Sequence, residues 1–159
     1  MRTAILLVLT VALGGCTHPI VYAPQTDDLS PAEAMYIVQK SIEQQSGDHV
    51  PHRVEVTAEK IVVTKVQTQI LYFRDLWKSD LHSRRNYFVV RFWDSKGHSY
   101  RYYLRDRGDA ERLIDAIHVL AEENRMLAEL PEPERARRVR HIEQQRKVLE
   151  LDVSEGPPR

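Results

Sequence analysis

Apolar positions along this chain change period twice, and each change marks a change of element. From Ser30 the spacing is helical: Met35, Val38 and Ile42 recur at three and four residues, with Ala34 and Ile37 widening the stripe. Ser30-Pro31-Ala32-Glu33 predicts the start: a capping serine, a proline at the first helical position and a glutamate able to reach back to the serine N–H. Gly47 predicts the stop. From Arg53 the period drops to two. Val54 and Val56 alternate with charge, Ala58-Glu59 turns the chain, Ile61 to Val66 is β-branched, and Ile70 to Phe73 makes a short third strand. Asp75 to His82 places Trp77 and Leu81 on one face. Past a polar tip, Ser83-Arg84-Arg85-Asn86, comes the clearest strand, with Phe88, Val90 and Phe92 facing one way and Tyr87, Val89 and Trp93 the other. Asp94-Ser95-Lys96-Gly97 predicts a hairpin turn, and His98 to Leu104 returns with Tyr100, Tyr102 and Leu104 on one face.

The helical period then resumes. Asp109 can cap the helix, with Asp106 as the alternative start, and Ala110, Leu113, Ile114, Ile117, Leu120 and Ala121 form a broad apolar stripe. Pro131 and Pro133 break it. Residues 134–151 are rich in Arg, Glu and Gln, with Val139, Ile142 and Leu149 as their few apolar positions, and predict a solvated helix; the final SEGPPR is expected to be disordered. Together these elements predict an α+β domain over residues 30–130. A small antiparallel sheet of about five strands is packed by a long C-terminal amphipathic helix, with a short N-terminal helix in front and a polar tail, 131–159, behind.

The N-terminus follows different rules. Arg2 precedes an apolar stretch from Ala4 to Leu13, half of the ~20 residues a membrane-spanning helix needs. A short apolar run behind a positive charge and ahead of small residues is the pattern of an export signal. Leu13-Gly14-Gly15-Cys16 resembles the lipobox of bacterial lipoproteins. That resemblance implies cleavage before Cys16, lipid on the Cys16 thiol, and a tether over residues 16–29. Thr17 stands where aspartate would retain such proteins at the inner membrane, which implies the outer membrane, periplasmic face.

In the middle of the chain, Ile70-Leu71-Tyr72-Phe73-Arg74-Asp75-Leu76, the alternating strand 87–93, the DSKG turn, Tyr100 to Leu104 and the DAERLIDAI helix opening at Asp109 resemble the pleckstrin-homology-like or GRAM-like group. The resemblance covers residues 53–125 and rests on element order and spacing. It implies a domain that binds lipids or proteins and carries no catalytic residues. Fewer strands are expected than the seven usual in that group.

Charge and composition narrow the function by exclusion. Lys+Arg and Asp+Glu number 23 each, so no global field favours nucleic acid. The single cysteine makes no internal disulfide. With six glycines there is no Gly-rich phosphate loop, and no serine sits in a nucleophile elbow. His49 and His52 flank Pro51 and have no third ligand nearby in sequence, and His118 lies beside the helical stripe as an edge residue; no metal or cofactor is expected. The sharpest cluster is the tip: His82, Arg84 and Arg85, with Arg74 and Lys78 near in sequence, are candidates to meet an anion. The chain is therefore expected to be a non-catalytic envelope lipoprotein. It would act through a protein partner or, alternatively, bind lipid headgroups or cell-wall polymer through the basic tip.

Overall fold

The computed structural model describes residues 17–45 and 49–154. The expected signal segment, Cys16, the Gly47 stop and residues 155–159 lie outside them. The elements in order are β1 (His18–Ile20), α1 (Pro31–Glu43), β2 (Arg53–Val56), β3 (Lys60–Thr64), β4 (Thr68–Tyr72), β5 (Leu76–Arg84), β6 (Tyr87–Asp94), β7 (Ser99–Leu104), α2 (Arg107–Glu129) and α3 (Glu132–Ser154). The fold is α+β, as the periodicities predict. Among the described residues the strands form two antiparallel sheets, one of four strands in the order β1-β5-β6-β7 and one of three, β2-β3-β4. Seven strands stand where about five were expected, because β1 and β5 fall in stretches without clean alternation.

Local chemistry explains the boundaries. At the start of α1 the Ser30 N–H donates to Glu33 Oε2 at 2.9 Å, and the Glu33 N–H donates back to Ser30 Oγ at 3.3 Å. At α2 the cap is the alternative start, Asp106, whose carboxylate accepts the Asp109 N–H at 3.1 Å. In the β6–β7 turn Gly97 adopts φ 86°, a conformation that favours glycine. Buried Asp94 secures that turn by accepting the backbone N–H groups of Lys96 and His98, each at 2.9 Å.

The inner faces of both sheets meet α1 and α2. Val56, Ile61, Val63 and Leu71 from the small sheet, Leu81, Val90, Phe92 and Tyr102 from the large one, and Leu113, Ile114, Ile117 and Leu120 from α2 form one core with Met35, Val38 and Ile42. Trp77 and Leu81 do not share a face. Leu81 is 1% exposed and Trp77 73%. The register shifts between Leu76 and Lys78, a bulge that turns Leu76 inward and leaves Trp77 outside.

Both ends of the described chain lie against this core. The stretch read as a tether is held at three points: β1 pairs with β5, the Tyr22 hydroxyl donates to Asp115 at 2.8 Å, and the Gln25 N–H donates to the same carboxylate at 2.8 Å. Burial, with the Asp115 hydrogen bond and charge, pushes the Tyr22 hydroxyl up to about 12. The polar stretch is the 23-residue helix α3; among its described side chains Ile142 is the one fully buried, and it packs with Val139 against the core.

Candidate functional site

Pleating gives the four-stranded sheet two faces of opposite character. Inward rows such as Leu81–Val90–Tyr102 and Ser79–Phe92–Tyr100 are mostly apolar. Two side chains in those rows make polar contacts: Ser79 lies 2.9 Å from His118 Nε2 on α2, and the Tyr100 hydroxyl donates to the Ile70 carbonyl at 2.9 Å. Burial holds the His118 imidazole below its ordinary range. The alternate residues face outward: Lys78, Asp80, His82 and Arg84 on β5; Tyr87, Val89, Arg91 and Trp93 on β6; Arg101 and Tyr103 on β7. Four permanent cations thus share this face with one carboxylate.

The register sets their spacing. Asp80, Arg91 and Arg101 stand in one row across three strands. Arg91 grips Asp80 through two parallel bonds, Nε to Oδ1 and Nη2 to Oδ2, both 2.8 Å, and Nη2 also reaches His82 Nε2. Burial raises the Asp80 carboxyl, but the hydrogen bonds and charges of Arg91 and His82 outweigh it and hold it below the usual carboxylate range. That leaves Arg101 directly opposite a second arginine, with no carboxylate in ion-pair distance among the described residues. Like charges so placed cost roughly 0.2–1 kcal/mol.

Between these side chains lies a cleft of about 190 Å³. Its floor is Val89, 6% exposed, and its walls are His82, Arg84, Arg91, Arg101 and Tyr103. Tyr103 is braced from behind by His49, stacked on it at 3.6 Å, and by the edge of Tyr87 at 5.6 Å. The Arg84 guanidinium donates to the Tyr87 hydroxyl at 3.0 Å and sits over that ring. The remaining wall is Thr17. His18 pairs with Ser83 and Pro19 with His82, so β1 delivers Thr17 to the end of the sheet where the tip lies.

Of the three sequence candidates, His82 and Arg84 line this cleft. Arg85 lies in the two-residue turn beyond it and is exposed. His82 is not a free tip residue: its side chain is 17% exposed, and its Nε2 lies 3.2 Å from Asp80. Arg74 lies in the short 3-10 turn Phe73–Asp75, against Asp75 and Tyr72, and Lys78 sits over Trp93. Thr17, Val89, Arg91, Arg101 and Tyr103 are the cleft residues that sequence reading missed. The signal for two of them existed: counting outward from the DSKG turn pairs Arg91 with Arg101.

Among the described residues no group of three or more metal-ligating side chains is assembled, and no helix is long and apolar enough to cross a membrane. His49 is occupied by its stack on Tyr103, and His52 lies exposed at the start of β2. The chain matches no protein-family model, no curated protein and no solved structure.

Proposed function

We propose that this chain is a lipid-anchored envelope protein, attached through Cys16, whose domain is a non-catalytic module that binds anionic groups of the envelope on the outward face of its four-stranded sheet. The observation that carries the reading is the cleft itself. Three arginines and a histidine converge there from β5, β6 and β7, with Asp80 as the one carboxylate and Arg101 left uncompensated. Planar guanidinium groups suit phosphate and carboxylate oxygens, which they can hold through two parallel hydrogen bonds. Phosphate on lipid headgroups and acidic groups of wall polymer both meet that chemistry.

The test has two parts. Wild-type protein should label with radioactive palmitate in cells and Cys16→Ser should not; labelling of the mutant ends the anchor reading. Unlipidated protein lacking residues 1–16 should sediment with anionic vesicles or with cell-wall fragments at low salt, and Arg84→Glu with Arg101→Glu should abolish that while the melting curve is kept. Equal sedimentation of both proteins removes the cleft.

A second reading, a protein partner in the envelope, is favoured by α3, where Val148 is 57% and Leu151 62% exposed. It expects a co-purifying protein to be lost on Val148→Glu with Leu151→Glu and kept when the two arginines are reversed.

A further inference from the structure

We propose that the cleft binds the phosphate of an anionic phospholipid headgroup in the same leaflet that holds the Cys16 anchor, with β1 as a short strut that sets the cleft at headgroup depth. The inference rests on the anion-binding reading above and names its ligand. It starts from the placement of Thr17, which lines the cleft and is the residue next to the anchor.

Covalent geometry does the rest. Adjacent α-carbons are about 3.8 Å apart across a trans peptide. The polar layer on each side of a bilayer is roughly 5–7 Å deep. A residue bonded to a lipidated cysteine therefore stays in or at the edge of that layer. A flexible tether would let the domain stand off, but here the next residues are already fixed. His18, Pro19 and Ile20 are paired with Ser83, His82 and Leu81, and Tyr22 and Gln25 are bonded to Asp115. The slack between anchor and domain is about one residue. The end of the sheet carrying Thr17, Arg84 and Arg85 must face the membrane, and the β6–β7 turn at Lys96 must point away.

The chemistry of the cleft fits what that layer contains. Arg91 spends Nε and Nη2 on Asp80 and His82, and Nη1 has no partner among the described residues. Arg101 faces Arg91 across the strand pair. A phosphate placed over Val89 can accept from both and remove the repulsion between them. Tyr103 and Tyr87 add amphipathic rings of the kind that settle at a membrane interface.

The experiment uses the full lipidated protein reconstituted in vesicles. A fluorophore is placed at Asn86→Cys in the tip or, separately, at Lys96→Cys in the opposite turn, about 25 Å away along β6. Quenchers carried on lipid headgroups should quench the Asn86 probe several-fold more strongly than the Lys96 probe, in neutral and anionic vesicles alike. Inserting ten Gly/Ser residues between Cys16 and Thr17 should abolish the difference in phosphatidylcholine vesicles and preserve it when phosphatidylglycerol is present. Equal quenching at both sites without the insertion overturns the strut.

In detergent, short-chain phosphatidylglycerol titrated into the lipidated protein should shift the NMR signals of His82, Val89 and Tyr103. Affinity should fall at least tenfold in Arg84→Gln with Arg101→Gln, with the methyl spectrum of core Leu113 and Ile117 unchanged. Inorganic phosphate should bind more weakly at the same signals, and a free-phosphate affinity equal to the lipid's would overturn the headgroup assignment. Binding of wall fragments through the arginines without any lipid titration would end this inference and leave the broader reading standing. Loss of both would end the two together.

Discussion

Helices α2 and α3 are each 23 residues long, and they are built into the molecule by opposite means. One whole face of α2 is buried, from Ala110 through Leu120 to Leu127, between the two sheets and α1. α3 buries Ile142, and arginines hold it elsewhere. Arg135 reaches Glu59 at 3.3 Å, Arg138 holds Glu123 through bonds of 2.7 and 3.2 Å, and Arg146 donates to the Val56 carbonyl and, at 3.5 Å, to Gln39. Equal length therefore says nothing about the work a helix does. A stripe fixes α2 by shape and area, a non-directional force proportional to what is hidden from water. A row of cations fixes α3 through contacts that salt and single substitutions can undo one at a time.

The most severe way to probe that difference is Ile117→Asp. It buries an unpaired carboxylate between α2 and the sheets, where Ile117 is 0% exposed. The cost, on the order of 5 kcal/mol or more, equals the whole stability of an ordinary domain. Far-UV circular dichroism should show loss of the cooperative transition; a mutant that still melts cooperatively would show that α2 is not the core helix. Removing residues 131–159 should be milder. The domain should remain folded and lose about 2–3 kcal/mol, chiefly the burial of Ile142. Urea midpoints measure this, and full unfolding on truncation would place α3 with α2 as a core element.

Arg138→Ala sharpens the contrast further. Arg138 is half exposed, so the pair should be weak on that side, but Glu123 is 5% exposed and loses its charged partner. A loss of about 1 kcal/mol is expected. The difference from wild type should shrink in molar salt, whereas Leu120→Ala on α2 should cost the same at any salt concentration. The smallest effect is in pH. Burial lowers the His118 pKa below its ordinary value near 6.5, so the native state binds this proton more weakly than the unfolded chain. Its favourable contribution is complete above 6.5 and is lost as pH falls from there toward the lowered value. Asp94 acts lower on the scale. Burial raises its carboxyl, but hydrogen bonds from His98 and Lys96 and the His98 charge outweigh that and depress it below 3.8, so its contribution is lost only in stronger acid. Chemical denaturation between pH 7 and 5 should show a slope in wild type that His118→Gln flattens. An unchanged slope would assign it to another group.

The legible parts of the fold were those with many residues voting for one period. The α1 stripe and its Ser30–Glu33 cap, the α2 stripe and the β6–β7 hairpin around Gly97 stand where the pattern puts them. β1 was invisible because three residues, one of them Pro19, carry no period; edge strands tolerate proline, and the pairing comes entirely from β5. The inward packing of α3 was hidden for a related reason, since one Ile142 makes no stripe. The cleft was half legible. His82 and Arg84 are neighbours in sequence, but Arg91 and Arg101 read as ordinary solvated positions of two strands until the register sets them opposite each other.

The β1–β5 pairing also has a consequence in time. His18 finds its partner in Ser83, 65 residues further along the chain. At synthesis rates of about 5–20 residues per second, that separation amounts to roughly 3–13 seconds. β1 thus precedes its partner by those 65 residues and cannot pair until they have followed it. Long-range pairings of this kind form slowly, because the loop must close before any contact rewards it. Until it closes, the β5 edge presents a row of open N–H and C=O groups to any neighbouring copy. β1 covers that edge only from Leu81 to Ser83, and a chain delayed at this step would be the form most prone to strand exchange with its neighbours.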